Sequence, residues 1–205
     1  MIRAVFFDVG GTLIHPWPSV GEVYARVGRQ FGVNASAETM EAAFRSAWKE
    51  SKRGTLTTSD KEWWRALVQQ AVPDAKAGYF EALYEEFAQP DAWRIFPDVM
   101  PALQKCRERK QHVGVISNWD ARLRPLLERL GLRFDSITVS CEVGAEKPAA
   151  AIFQSALVKA GVTAGETLHV GDSESEDVEG ARAVGMNARL VRQGDGDLTS
   201  AVACV

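Results

Sequence analysis

The chain has 205 residues, a formal net charge of −3, 46% hydrophobic residues and 25% charged residues. This composition is typical of globular proteins and argues against a disordered or fibrous chain. The slight acidity argues against a protein that coats nucleic-acid phosphates, because such proteins carry a basic excess. The sequence has no run of about eighteen or more apolar residues, so we expect no membrane span.

The N-terminus and the cysteines indicate the compartment. The first residues enter a β-branched and aromatic run without the charged, apolar and small-residue zones of a signal peptide. The three cysteines, Cys106, Cys141 and Cys204, show neither paired nor metal-like spacing. We therefore expect a cytoplasmic protein with reduced thiols, built as one main domain with an insertion.

The first 89 residues combine one strand pattern with a block of helical patterns. The apolar run at residues 2–9 ends at two glycines and predicts a buried strand. The region from about residue 17 to residue 89 contains no strand-like run. Amphipathic patterns there predict four helices, at residues 20–31, 37–52, 60–72 and 75–88.

Strand and helix patterns alternate after Pro97. The predicted strands cover residues 112–117, 136–140, 167–170 and 188–191. The predicted helices cover residues 98–109, with Asp98 as the N-cap, and residues 123–130, 149–160 and 178–184. This alternation predicts a doubly wound α/β fold whose parallel sheet is covered on both faces. Ligands of such sheets bind beyond the carboxyl ends of the strands.

Polar residues follow several of these predicted strands. Asp8 follows the first strand, residues 117–118 (Ser-Asn) end the second, Lys147 lies in the loop after the third, and Asp172 follows the fourth, with Asp177 five residues later. Each of them alone is typical of a turn or a helix cap. Together they predict a polar site at one edge of the sheet.

These segments resemble the motifs of a known family, the haloacid dehalogenase-like hydrolases. The matching segments are residues 8–13, 116–118, 146–148 and 170–177, and the resemblance covers nearly the whole chain. It implies a Rossmann-like catalytic core at residues 1–15 and 91–205. The helical block at residues 16–90 resembles the four-helix cap that one subfamily inserts after the first strand.

The resemblance implies a hydrolase that forms an aspartyl-phosphate on Asp8. An anionic nucleophile approaching a phosphoryl group needs a divalent cation to offset the repulsion. Asp8, the backbone carbonyl of Gly10 and Asp172 are the expected Mg²⁺ ligands, since Mg²⁺ prefers hard oxygen atoms. Asp177 is either a further ligand, directly or through water, or a partner that fixes Lys147.

The remaining site residues are expected to bind a small phosphorylated metabolite. The hydroxyl of Ser117 and the amide of Asn118 are expected to donate to phosphoryl oxygens, while Lys147 supplies the compensating cation. Thr12 either supports the nucleophile loop, as in the family, or caps a turn. Trp17 lies between two prolines after the nucleophile segment and is expected to contact the substrate.

The chain departs from the family at Gly10. Phosphatases of the family usually carry a second Asp there, two residues after the nucleophile, which protonates the leaving oxygen and then activates water. A positioned general acid or base contributes roughly a hundredfold to ten-thousandfold, so we expect slow hydrolysis of alkyl phosphates. Candidates for the missing group are Glu176, Asp120, Glu146 and His15, or a residue of the cap.

Three functions remain open from the sequence. The first is a phosphatase whose substrates have good leaving groups, such as acyl or aryl phosphates. The second is a carbon–halogen hydrolase, although dehalogenases of the family carry Tyr at the position of Gly10 and lack the metal-binding acids Asp172 and Asp177. The third is a phospho-ligand-binding protein with little turnover. For each of these functions we expect a monomer or a homodimer.

A phosphonate hydrolase is a weaker alternative. That branch of the family uses a cap lysine as a Schiff base, and the cap lysines Lys49, Lys52 and Lys61 lie in no recognisable motif.

Overall fold

The computed structural model describes residues 1–51, 60–192 and 197–203. Two compact units make up the chain, one of Met1–His15 with Ile95–Val205 and the other of Pro16–Arg94. Within the described residues, every helix is too short or too polar to cross a membrane. Lys52 and Cys204, which the sequence analysis names, lie outside the described residues.

The strands and helices alternate along most of the chain. The strands are β1 (Ala4–Phe7), β2 (Ile14–Pro16), β3 (Trp93–Ile95), β4 (His112–Ser117), β5 (Ser136–Val139), β6 (Thr167–Gly171) and β7 (Asn187–Leu190). The helices are α1 (Val20–Gln30), α2 (Ala37–Glu50), α3 (Asp60–Ala71), α4 (Tyr79–Glu86), α5 (Val99–Glu108), α6 (Leu123–Arg129), α7 (Ser140–Val143), α8 (Ala150–Ala160), α9 (Gly180–Ala183) and α10 (Asp197–Ala203).

The first unit is built on a five-stranded parallel sheet with the order β5-β4-β1-β6-β7. From the central strand β1 the chain adds β4 and β5 on one side, and later β6 and β7 on the other. This reversal places the topological switch point at the carboxyl end of β1, where doubly wound sheets bind their ligands. The doubly wound α/β fold predicted from the sequence is confirmed.

Both faces of this sheet are buried. Phe6 and Ile116 pack on one face against Phe153 of α8. Side chains alternate along a strand, so Val5 and Phe7 point to the opposite face, and both are fully buried there. Burial on both sides explains why the first strand reads as a continuous apolar run.

The second unit is helical and consists of α1 to α4 around its own apolar core. Leu83, Tyr24 and Tyr79 lie in this core, and the Tyr79 hydroxyl donates a hydrogen bond of 3.1 Å to the backbone carbonyl of Tyr24. Ser19 and Ser36 cap α1 and α2 by accepting a backbone N–H of the first turn. The four predicted helices are therefore present, with shorter bounds at their ends.

The chain passes between the two units in two short strands, β2 and β3, that pair with each other. On one side of this ribbon the Phe96 N–H donates to the Leu13 carbonyl at 3.1 Å. On the other side the Trp17 N–H donates to the Ala92 carbonyl at 2.8 Å. The sequence analysis missed both strands, because three residues are too few for a periodic pattern.

Asp98 is the N-cap residue of α5, as predicted, but its side chain does not cap the helix. A capping residue normally has an extended backbone, whereas Asp98 is helical, and its side chain makes no capping bond to α5. Its Oδ2 atom instead accepts the Leu198 N–H at 2.9 Å, at the start of the unpredicted helix α10. The predicted helix at residues 178–184 also differs, since it begins earlier as a π-helical turn over Glu174–Glu179.

We expect Phe6→Ala to lower the free energy of unfolding by about 3–5 kcal/mol, because it removes a fully buried ring from the central strand. Urea denaturation followed by circular dichroism measures the change. Met100→Ala is the control, since Met100 is half exposed on α5. Equal losses in the two variants would contradict this account of the core.

Candidate active site

The carboxyl ends of the sheet bring five of the predicted residues to one edge. Asp8 follows β1, Ser117 is the last residue of β4, and Asp172 follows β6. Lys147 comes from the loop between α7 and α8, and Asp177 comes from the π-helical turn. The side chains then meet through the contacts described below.

Lys147 is the ionic centre of the group. Its Nζ atom lies 2.7 Å from Asp8 Oδ1 and 2.6 Å from Asp177 Oδ1, and the residue is 4% exposed. Burial by itself lowers the pKa of Lys147, but the two carboxylates outweigh burial and raise this pKa above its usual range. The ammonium is therefore charged and offsets part of the negative charge around it.

The two oxygens of Asp8 have different surroundings. Oδ1 accepts hydrogen bonds from Lys147 Nζ and, at 3.0 Å, from the Ser117 hydroxyl. Oδ2 lies 3.4 Å from the Thr12 hydroxyl, which is equally far from Asp172 Oδ1. The single hydroxyl proton of Thr12 can bind only one of these two acceptors at a time. Oδ2 of Asp8 is therefore held less firmly than Oδ1, which accepts from both Lys147 and Ser117.

Both carboxylate oxygens of Asp177 accept hydrogen bonds from other residues. Oδ1 accepts from Lys147 and, at 2.8 Å, from His169 Nε2, while Oδ2 accepts the Ser173 N–H at 3.0 Å. Burial raises the pKa of Asp177, but the ammonium and the imidazole reverse this and hold the pKa below its ordinary value. These contacts favour the expectation that Asp177 fixes Lys147.

The contact of His169 was not predicted. His169 is fully buried in β6, where its Nε2–H donates to Asp177 and its ring lies edge-on to Phe153. An ionisable residue inside an otherwise apolar strand is the sequence signal for such a contact. Its partner depends on how the π-helical turn folds back on β6.

The Asn118 side chain binds the backbone of Lys147 and so holds the loop that carries the lysine. The side-chain Oδ1 accepts the Lys147 N–H at 2.7 Å, and Nδ2 donates to the Lys147 carbonyl at 3.1 Å and to Glu176 Oε2 at 3.0 Å. These bonds use the carbonyl oxygen and both amide hydrogens of the side chain. A phosphoryl contact by Asn118 therefore stays a prediction for its backbone N–H.

Asp8, Asp172 and Asp177 form an acidic cluster in which one carboxylate oxygen of each lies within 4.8 Å of the others. Partial burial and repulsion from the two other carboxylates raise the pKa of Asp172 to about 7, although solvent reaches this residue. Lys147 offsets only part of the charge. A hard divalent cation such as Mg²⁺ fits this oxygen-rich and negatively charged group.

Two glycines make room for these acids. Gly11 has a positive φ of 82°, and a Cβ atom there would collide with the Asp172 carboxylate. A Cβ atom at Gly171 would collide with the Asp177 side chain. The turn after β1 and the end of β6 therefore approach the acids closely only because both positions lack a side chain.

The four candidates for the missing acid have different surroundings. Glu176 contacts Asn118, as described above. Asp120 is buried and forms an ion pair of 2.6 Å with Arg122. His15 packs on a phenylalanine ring of its own unit, and Glu146 is half-buried next to Lys147 in the chain. The Glu176 carboxylate accepts from the Asn118 side chain, which also binds the backbone of Lys147.

Trp17 belongs to the helical unit, in which it is 42% exposed. The guanidinium of Arg94 lies 5.2 Å from the centre of its ring. Its contact with a substrate stays a prediction.

Comparisons with known proteins agree with this fold. The model of the haloacid dehalogenase-like hydrolases matches residues 2–185, and the chain belongs to this family. The mouse (Mus musculus) haloacid dehalogenase-like hydrolase domain-containing protein 3 is 37% identical over 216 residues, which cover 98% of this chain and 86% of the relative.

Two similar solved structures carry different activities in their descriptions. A HAD phosphatase from Thermococcus onnurineus has 28% identity and a TM-score of 0.67, covering 95% of this chain and 92% of the other. A 2-haloacid dehalogenase from Pseudomonas syringae pv. Tomato DC3000 has 26% identity and a TM-score of 0.64, covering 92% of this chain and 85% of the other. The family therefore establishes a hydrolase, and the site has to distinguish the reactions.

We expect Lys147→Met to cost about 3–5 kcal/mol of unfolding free energy, because it leaves the carboxylates of Asp8 and Asp177 buried without their cation. Adding Asp177→Asn should recover part of this loss. Urea denaturation at neutral pH measures both variants, with Lys159→Met at an exposed position as the matched control. A loss no larger than that of the control would show that the ion pairs do not hold the site together.

Proposed function

We propose that the protein is a Mg²⁺-dependent phosphatase that hydrolyses small phosphorylated metabolites through an aspartyl-phosphate on Asp8. The observation that carries the proposal is the Asp8 carboxylate at the switch point, bound to Lys147 and clustered with Asp172. Membership of the hydrolase family and the similarity to a HAD phosphatase support it. Substrates with good leaving groups, such as aryl and acyl phosphates, fit the chain best.

The acidic cluster is the proposed Mg²⁺ site. Asp8, Asp172 and the backbone carbonyl of Gly10 would hold the ion, and Asp177 would join through water or act only through Lys147. When bound, the cation offsets the repulsion between the carboxylate nucleophile and the phosphoryl oxygens. The cluster supports this assignment because it offers hard oxygen atoms and an excess of negative charge.

The first step is attack on phosphorus by Asp8. Oδ2 is the proposed nucleophilic atom, since Oδ1 is held by Lys147 and Ser117. The Oδ2–P bond forms while the bond from phosphorus to the leaving oxygen breaks, and the leaving group takes the electron pair. The Lys147 ammonium, which has a third N–H, then stabilises charge on the phosphoryl oxygens, with the backbone N–H of Asn118 as a further donor. The Ser117 hydroxyl joins them by turning its single proton from Asp8 Oδ1 to a phosphoryl oxygen.

The second step returns Asp8 to its free state. Water attacks the phosphorus of the aspartyl-phosphate, the acyl oxygen leaves, and inorganic phosphate is released. Gly10 supplies no acid for the first step, which favours leaving groups that depart as anions. Phenolates and carboxylates do so far more readily than alkoxides.

The helical unit is proposed to be a cap that selects the substrate and excludes water. Trp17 is the residue of this unit that we expect to contact the substrate. Dehalogenation is less compatible with the site, because a carboxylate bound to Mg²⁺ is a poor nucleophile toward carbon. Halide release is therefore an outcome that the activity test must include.

We expect Asp8→Asn to lower the turnover of an aryl phosphate and of acetyl phosphate by more than about a thousandfold, because it removes the nucleophile. The wild-type protein should require Mg²⁺ and act weakly on alkyl phosphates. Phosphate release with and without Mg²⁺ measures this, and Asp74→Asn at an exposed position is the control. Halide release from 2-haloacids without metal, or no phosphate turnover above the Asp8→Asn background, would overturn the proposal.

We expect Mg²⁺ to raise the melting temperature, because an ion that binds only the folded chain stabilises it by about 2.7 kcal/mol at a hundred times its Kd. Asp172→Asn should shift the dependence to higher Mg²⁺ concentrations. Thermal denaturation over a Mg²⁺ series, with NaCl at matched ionic strength as the control, measures the effect. The same curve for wild type and Asp172→Asn would contradict a metal site at this cluster.

A further inference from the structure

Gly10 faces the indole ring of Trp119. An ideal Cβ atom on Gly10 would lie 3.2 Å from Cζ3 and 3.9 Å from Cη2 of this ring. Gly10 does not have the positive φ of Gly11, so its backbone conformation is open to other residues. The neighbouring ring, rather than the backbone, therefore limits the side chain at this position.

The turn that contains Gly10 lies beside the Asp8 carboxylate. Gly10 lies in a tight turn in which the Val9 carbonyl accepts the N–H groups of Thr12 and Leu13. The Thr12 hydroxyl of the same turn lies 3.4 Å from Asp8 Oδ2, so the turn that contains Gly10 borders the nucleophile. The edge of the Trp119 ring thus crowds any side chain that the turn beside the nucleophile would carry at position 10.

Trp119 is held in this place by its backbone. Its N–H donates to the Ser140 hydroxyl, and the same hydroxyl donates to its carbonyl, both at 3.1 Å. The ion pair between Asp120 and Arg122 fixes the residues that follow. The residue itself is half-buried, so part of its surface is accessible.

We propose that Trp119 is a specificity-determining residue that packs against a planar leaving group and excludes a proton-donating side chain beside Asp8. This inference rests on the proposed phosphatase function and narrows its substrates to aryl phosphates and similarly planar acyl phosphates. In the transfer step the Asp8 Oδ2–P bond forms, the P–O bond to the leaving group breaks, and the phenolate or carboxylate departs with the electron pair. Its proton, where it takes one, comes from solvent.

Four proteins test the inference: wild type, Trp119→Gly, Gly10→Asp and the double variant. Each is assayed for kcat/KM with phenyl phosphates of graded leaving-group pKa and with an alkyl phosphate of similar size. Gly165→Asp is the matched control, because it adds the same side chain where no atom lies within 4 Å of the ideal Cβ, at the other end of the sheet. Melting temperatures establish that each variant is folded.

Trp119→Gly should lower kcat/KM for aryl phosphates by about tenfold, mainly through KM, because a ring contact is lost. Gly10→Asp alone should gain no alkyl phosphatase activity, since the ring occupies the space. The double variant should gain about a hundredfold on the alkyl phosphate and depend less on leaving-group pKa, because a carboxyl group then fits beside Asp8.

Other outcomes overturn the inference. An alkyl gain in Gly10→Asp alone, or unchanged aryl kinetics in Trp119→Gly, would show that the ring neither blocks position 10 nor contacts the leaving group. If Trp119→Gly does not fold, Trp119→Leu takes its place, since it removes planarity and keeps an apolar side chain. Wild-type turnover that equals that of Asp8→Asn would instead refute the phosphatase function, and the inference with it.

Discussion

A buried ammonium shared by two carboxylates holds the candidate site together. Lys147 brings Asp8, at the end of β1, to Asp177, in the turn after β6. Removing these charges from water is costly, so the arrangement is stable only if the remaining polar atoms also find partners. The Ser117 hydroxyl donates to Asp8, and His169 donates to Asp177. Through these contacts the position of Lys147 depends on β1, β4 and β6.

The main features of the fold follow from the sequence for a simple physical reason. Strands buried on both faces form short apolar runs, and the helices between them have amphipathic patterns. The alternation of a doubly wound fold can therefore be predicted from the sequence alone. Because parallel strands end at a common edge, the sequence also indicates that Asp8, Lys147 and Asp177 lie near one another. The structure adds which atoms of these residues are in contact.

What the sequence did not predict depends on contacts between distant segments. Asp98 has the residue type and position of a cap, yet its carboxylate serves the start of α10, whose location no local pattern reveals. Asn118 was expected to donate to a phosphoryl group, but its side chain binds the backbone of Lys147 and the carboxylate of Glu176. Side chains that can bond in several directions are assigned only when their neighbours are known.

The paired strands β2 and β3 bring the two ends of the helical unit together. Hydrogen bonds join Leu13 to Phe96 on one side of the ribbon and Trp17 to Ala92 on the other, so the insertion leaves and re-enters the core at adjacent points. The spacing of these points is fixed by the ribbon and not by the length of the intervening segment. The edge of the sheet and the inserted helices can therefore diverge at different evolutionary rates.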